Sequence, residues 1–164
     1  MNFQDVDIDL LSYSDCSENY RKVIYNKKKS LEIFTPLVFV NTMKDSYKNE
    51  YIQLNLEECS NFKSLLQYID LHAMIHNDIS QENKDKYKSS LYKNLLSCKI
   101  PRIKHRFITD ITINNTPKTF YDIKKNDKAR CLIYIDSVWD NTNTISLKWK
   151  IKKCCVYRNE TKYE

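Results

Sequence analysis

Apolar and polar positions along the chain fall into short alternating runs broken once by a longer helical period. Residues 20–25 (Tyr-Arg-Lys-Val-Ile-Tyr) read as a strand, 26–30 as a polar turn, and 31–40 as a second strand interrupted at Thr35-Pro36, where the proline predicts an edge or bend. A short strand over 50–54 leads to Ser60, read as an N-cap. Phe62, Leu65, Leu66, Ile69 and Ala73 then recur at helical spacing and predict a helix over 60–76. Residues 77–90 are polar and read as a loop, and 91–96 as a short helix or turn before the break at Lys99-Ile100-Pro101. From 102 to 108, Arg102, Lys104 and Arg106 alternate with Ile103, His105 and Phe107, the pattern of a half-buried strand. Ile111 and Ile113 extend it to a turn at 114–117. Residues 129–138 form a strongly apolar strand closed by Trp139. After a turn at 140–143, Ile145, Leu147, Trp149 and Ile151 alternate with Ser146, Lys148, Lys150 and Lys152. The last two strands make a hairpin, with Trp149 in its core row. These elements predict a small α+β domain, mainly β, built on an antiparallel β-barrel with one main inserted helix.

Composition removes many function classes. Among 164 residues there is no glycine, so a P-loop, a Rossmann dinucleotide turn and a G-x-S-x-G elbow are all excluded. Lysine and asparagine dominate the polar residues, as in coding from AT-rich DNA. No run of apolar residues is long enough for a membrane span, and the first residues carry Asp5, Asp7 and Asp9 where a secretory signal would be basic and then apolar. The expectation is a cytoplasmic protein with no membrane association. Six cysteines contain no C-x-x-C pair and are expected to be reduced. His72 and His76 stand at i, i+4, but Ala73 occupies the base position of H-E-x-x-H and no third ligand is implied, so no metal or other cofactor is expected. Glu57-Glu58 suit a helix start, and Asp136 with Asp140 are too few for a metal-dependent nuclease. A non-enzymatic role is expected.

The net charge of +6 hides a polarity: residues 1–20 carry −5, 21–100 carry +4, and 101–158 carry +8. Residues 1–19 are expected to be an acidic flexible leader that competes for the basic surface, 20–158 a single domain, and 159–164 a short tail. The candidate binding residues are the cations Arg102, Lys104, Arg106, Arg130, Lys148, Lys150 and Lys152, with Tyr134 and Trp139 on the same hairpin. Two rows of cations on one sheet suit a phosphate backbone, and aromatic faces suit unpaired bases. The alternative is a solvated lysine face, or a docking face on a replication or transcription complex without affinity for free nucleic acid.

The segments Ile100-Pro101-Arg102-Ile103-Lys104, Phe107-Ile108-Thr109-Asp110-Ile111, Arg130-Cys131-Leu132-Ile133-Tyr134-Ile135-Asp136-Ser137-Val138-Trp139 and Ile145-Ser146-Leu147-Lys148-Trp149-Lys150-Ile151 resemble the closing strands of single-stranded DNA-binding proteins. The family is the podophage-like OB-fold type of large cytoplasmic DNA viruses. In composition and size the chain is also similar to proteins of yeast cytoplasmic linear plasmids. The resemblance covers roughly residues 20–153 and implies an OB-type barrel that binds single-stranded DNA without regard to sequence during replication of a cytoplasmic DNA element. It leaves RNA open as a ligand, and replication proteins as partners through the acidic N-terminal segment. Family members usually place a glycine in the last hairpin, and some carry an acidic C-terminal tail; here there is no glycine and the acidic segment is N-terminal.

Overall fold

The computed structural model describes residues 1–159 except Lys28, Tyr47, Lys48, Asp78, Ser80 and Thr142. Most of the predicted tail therefore lies outside the described residues. In chain order the strands are β1 (Leu11–Tyr13), β2 (Tyr20–Tyr25), β3 (Glu32–Phe34), β4 (Val38–Ser46) and β5 (Asn49–Asn55). The helix α1 (Ser60–His76) follows. After it come β6 (Tyr87–Lys88), β7 (Leu91–Tyr92), β8 (Leu95–Lys99), β9 (Arg102–Ile103), β10 (Arg106–Phe107), β11 (Asp110–Ile113) and β12 (Thr116–Lys118). The chain closes with β13 (Lys128–Asp140) and β14 (Ile145–Tyr157).

The predicted hairpin, β13 with β14, is the spine of the molecule. One edge of β13 pairs in turn with β4, β3 and β2, and the far edge of β14 with β6, β8 and β11. Because β4 pairs with β5 and β5 with β8, the hydrogen-bonded path runs β13–β4–β5–β8–β14 and returns to β13 as a ring. Inside it lie Val38, Val40, Ile52, Leu54, Leu96, Ile133, Ile135, Leu147 and Ile151, together with Trp149 as its position in the apolar row predicts. Helix α1 adds Phe62, Leu66, Ile69 and Ala73, the face its period predicts, although its N-cap is Cys59 and not Ser60. The structure is mainly β with this one α-helix among the described residues, and no helix is long and apolar enough to cross a membrane.

Two bulges decide which side chains the spine exposes. Ile133 pairs with Ile151 after Leu132 has paired with Lys153, and Ser137 pairs with Lys148 after Ile135 has paired with Trp149. Lys152 and Asp136 are the extra residues. Each inserted residue reverses the side-chain alternation beyond it. Without the second bulge the inward row 131, 133, 135 would continue to Trp139; with it, Val138 turns inward and Trp139 outward.

Four expectations fail in whole or in part. Residues 1–19 are not a separate leader: Leu11 is buried, β1 pairs with β2, Phe3 packs edge-on to Phe62 with centroids 5.3 Å apart, and Val6 and Ile8 pack on the core. Apolar residues interleaved with the aspartates hold the segment down. Of the short helix or turn expected over 91–96 the turn forms, flanked by strands: Lys93 and Asn94 (φ 48° and 65°) make the two-residue turn of a β7–β8 hairpin. The loop expected over 77–90 includes a 3₁₀ turn over Gln81–Lys86 and strand β6. Residues 102–108 are not one strand, because Lys104 takes φ 57° and folds the segment into β9 and β10, a two-stranded sheet apart from the main one.

Helix and spine are joined by one carboxylate. Asp70, on the buried side of α1, accepts hydrogen bonds from Tyr87 Oη (2.7 Å), Ser89 Oγ (3.2 Å), Ser90 N (2.8 Å) and Ser90 Oγ (2.8 Å). Ser90 Oγ in turn accepts from Trp149 Nε1 at 2.8 Å. Burial pushes the Asp70 carboxyl up and these four donors pull it back only in part. Removing the acceptor leaves part-buried donors unmet, so Asp70→Ala is expected to destabilise the fold by about 1–3 kcal/mol, measured as a lower urea midpoint at unchanged m-value.

Candidate nucleic-acid interface

On the ring's outer side, a groove of about 510 Å³ crosses β5, β8 and the tip of β14. Alternation along β5 and β8 points Tyr51, Leu95, Ser97 and Lys99 into it. From β14 come Lys148 and Lys150, and Trp149 forms part of the lining through its partial reach from the core. The chain between β6 and β8, tethered by Asp70, supplies Ser89, Ser90 and Tyr92; Trp139 and Asp136 close the far end.

Trp139 is 39% exposed and lies against Tyr20, its cross-strand partner on β2, with ring centroids 5.7 Å apart and planes at 29°. A stacked pair of this kind presents a flat apolar surface that is already ordered, suited to a further planar ring. Tyr92, 69% exposed, adds a second aromatic ring to the lining, with the Lys93 ammonium 5.4 Å from its centroid.

The charge is basic and crowded. Lys99 pairs in register with Lys150, and Lys88 with Ser146, two residues before Lys148. Desolvation at the groove wall, then the charges of Lys99 and Lys88, push the Lys148 ammonium below the ordinary lysine range. Lys148 has no carboxylate within ion-pair distance among the described residues. Lys150 does, meeting Asp136 at 3.1 Å. The groove thus holds like charges that an anionic ligand would relieve.

The candidate residues divide. Lys148, Lys150 and Trp139 come together in the groove. The others do not line it. Lys152 pairs with Glu32 at 2.6 Å, and Tyr134 is half-buried with its phenol pushed up by burial and by the neighbouring Asp136 and Glu32. Arg130 lies over the Phe34 ring, 5.2 Å from its centroid. Arg102 forms an ion pair with buried Glu50 and covers the Phe107 ring at 4.4 Å. Lys104 and Arg106 are exposed on the separate β9–β10 sheet, so the expected second row of cations on the same sheet is absent. The groove residues missed by the sequence reading, Tyr51, Ser97, Lys99 and Tyr92, belong to strands whose proximity to β14 arises from long-range pairing.

His72 and His76 stack with centroids 4.0 Å apart, and His72 Nδ1 is held by Tyr13 Oη at 2.8 Å. No group of three or more His, Cys, Asp or Glu side chains that could hold a metal occurs among the described residues. The six cysteines are unbridged; Cys131 and Cys154 face each other across the spine with Sγ atoms 3.7 Å apart, and Cys154 is buried while Cys155 is partly exposed.

No family model matches the chain, and no curated protein matches it in sequence. Its fold is nonetheless similar to solved structures. A C-terminally truncated single-stranded DNA-binding protein from bacteriophage Enc34 superposes with a TM-score of 0.53 at 9% identity, over 94% of this chain and 99% of that one. The single-stranded DNA-binding protein from the same phage in complex with single-stranded DNA superposes with a TM-score of 0.51 at 10% identity, over 94% of this chain and 98% of that one. At such identities the likeness is one of fold, and it spans almost the full length of both chains.

Lys99→Gln, which removes the stronger of the two repulsions on Lys148, is expected to raise the pKa of Lys148 toward the ordinary lysine value. A pH titration of the lysine side-chain NMR signals checks it; an unchanged Lys148 titration would show that the two ammonium groups do not interact.

Proposed function

We propose that this protein binds single-stranded DNA without regard to sequence, as a non-enzymatic OB-type protein that covers unwound strands during replication of a cytoplasmic DNA element. The observation that carries the reading is the groove over β5 and β8 beside the β13–β14 tip. If β4, β5, β8, β13 and β14 are taken as the five strands of an OB fold, this groove lies on the second and third strands next to the loop joining the fourth and fifth. OB folds hold oligonucleotides in that region. The likeness of fold to two phage single-stranded DNA-binding structures, one of them a complex with single-stranded DNA, supports the same reading.

The groove's chemistry favours an unpaired strand over a duplex. Lys88, Lys99 and Lys148 are placed to neutralise phosphates, releasing counterions irrespective of sequence. Trp139 on Tyr20, and Tyr92, offer faces that bases can reach only when they are not stacked in a helix. None of these contacts reads a base edge. Lys150 and Lys152 contribute less than Lys148, because Asp136 and Glu32 already compensate them.

Fluorescence anisotropy of labelled oligo-dT against its duplex, over a salt series, tests the reading. Binding is expected for the single strand, with log affinity falling against log salt at a slope of about −2 for three neutralised phosphates. Lys148→Ala should lower that slope's magnitude by about 0.7. Trp139→Ala should weaken binding by about 1–3 kcal/mol, the range for one base-stacking face. No binding to either form at low salt would overturn the proposal in favour of a docking subunit; equal or tighter binding to oligo-U would reassign the ligand to RNA.

A further inference from the structure

We infer that the strand-binding site does not end at Trp139: a second groove on the other side of the Trp139–Tyr20 stack takes the phosphodiester backbone of the same polynucleotide, giving the domain a longer footprint than its ring of strands alone. This rests on the single-strand reading of the first groove.

The second groove has a volume of about 490 Å³, close to the first, and is lined by β2 and the turn that follows it, with Lys22, Lys27 and Lys29 as its cations. Asp136 and Trp139 line both grooves. The grooves therefore meet at these two side chains, with Tyr20, stacked on Trp139, lining the second groove. β2 is hydrogen-bonded to β13 on the side away from β14, Tyr20 opposite Trp139 and Lys22 opposite Ser137. The two grooves therefore follow one another across successive strands of a continuous sheet, β2–β13–β14–β8–β5. At about 4.8 Å between strands the track is roughly 19 Å wide.

Its electrostatics point to an anion of extended form. Lys22, Lys27 and Lys29 are exposed, and none has a carboxylate within ion-pair distance among the described residues. The carboxylate shared by the grooves, Asp136, is already paired with Lys150. Unlike Arg102 or Lys152, which the fold uses in ion pairs, the ammonium groups of these three lysines form no ion pair among the described residues. A mononucleotide would fill one groove and leave the other; only a polymer meets the lysines on both sides of the stacked rings. β2 and its turn lie outside the closed ring, so the extra length comes from an element added to the ring.

The test is a length series. Wild-type protein and a Lys22→Gln/Lys27→Gln/Lys29→Gln variant are titrated with oligo-dT of about 5 and about 12 nucleotides, lengths within the range that single OB folds cover. The variant is expected to bind the short oligonucleotide as the wild type does and the long one at least tenfold more weakly, because the substituted lysines are surface residues outside the core. Lysine acetylation read by mass spectrometry gives an independent readout: the long oligonucleotide should protect Lys22, Lys27 and Lys29 in the wild type, and the short one should protect only Lys88, Lys99 and Lys148. Equal losses for both lengths, or no loss and no protection by the long one, would overturn the second groove while leaving the first intact. A wild type that binds neither length overturns the single-strand reading itself, and this inference with it.

Discussion

The structure depends on the two-strand ladder of β13 and β14, because these long strands offer two free edges on which every short strand of the main sheet ultimately relies. β4, β3 and β2 share one edge; β6, β8 and β11 share the other. Strands of two to six residues carry too few hydrogen bonds and too little apolar surface to persist alone. They become stable by addition to a ladder that is already formed, with Ile133, Ile135, Trp149 and Ile151 supplying the buried rows beneath. The same dependence places the candidate interface. Both grooves lie where short strands meet the tip half of the spine, and the bulge at Asp136 is what turns Trp139 out of the core to stand between them.

Asp70 extends that order from the spine to the groove wall. A carboxylate on the buried side of a helix carries a desolvation penalty, and its four hydrogen-bond donors offset that cost only because they come from one short stretch, Tyr87 to Ser90. The stretch is thereby fixed to α1, and Trp149 is fixed to the stretch through Ser90 Oγ. Wall and floor of the first groove share one polar anchor. A site that meets a flexible polymer benefits from such prior ordering, since ordering done in folding is not repeated on binding.

Local periodicity made part of this fold legible. Strand β2, the break at Pro36, strand β5, helix α1 and the final hairpin all follow from spacing within single segments, and Trp149 was readable as core from its row. What was not legible depended on pairing between distant segments or on single backbone angles. β6, β7 and β8 carry no periodic signal long enough to detect, yet they bring Tyr92, Ser97 and Lys99 to Lys148. Alternation through 102–107 is shared by a strand and by a tight hairpin, and one φ at Lys104 separates the two. The aspartates of residues 5–9 disguised apolar neighbours that bind the segment to the core. Trp139 closes the apolar strand in the sequence pattern, and the bulge that leaves it part-exposed has no signature in the sequence. Of the cations, those with acidic or aromatic partners in the fold, Arg102, Arg130, Lys150 and Lys152, carry no sequence signal that separates them from Lys148.

With no glycine, the turns that join so many short strands fall to other residues. A chain with no glycine must place other residues at positive φ, and Asn26, Asn94, Asn114, Asn115 and Asn126 do so here, joined by Glu18, Lys27, Lys93 and Lys104. Asparagine tolerates this region because its side chain can bond its own backbone; lysine and glutamate pay a larger steric cost. Two of these lysines lie next to the candidate interface, Lys27 in the turn after β2 and Lys93 in the turn after Tyr92. In both places a costly backbone angle coincides with a cation at a tight turn beside a groove. Because each turn residue has a long side chain, the loops that a glycine would leave bare carry positive charge instead. Lysines at turn positions that glycine would otherwise take thus help to make the rim of the grooves basic, and a chain without glycine carries charge where a polyanion would meet it.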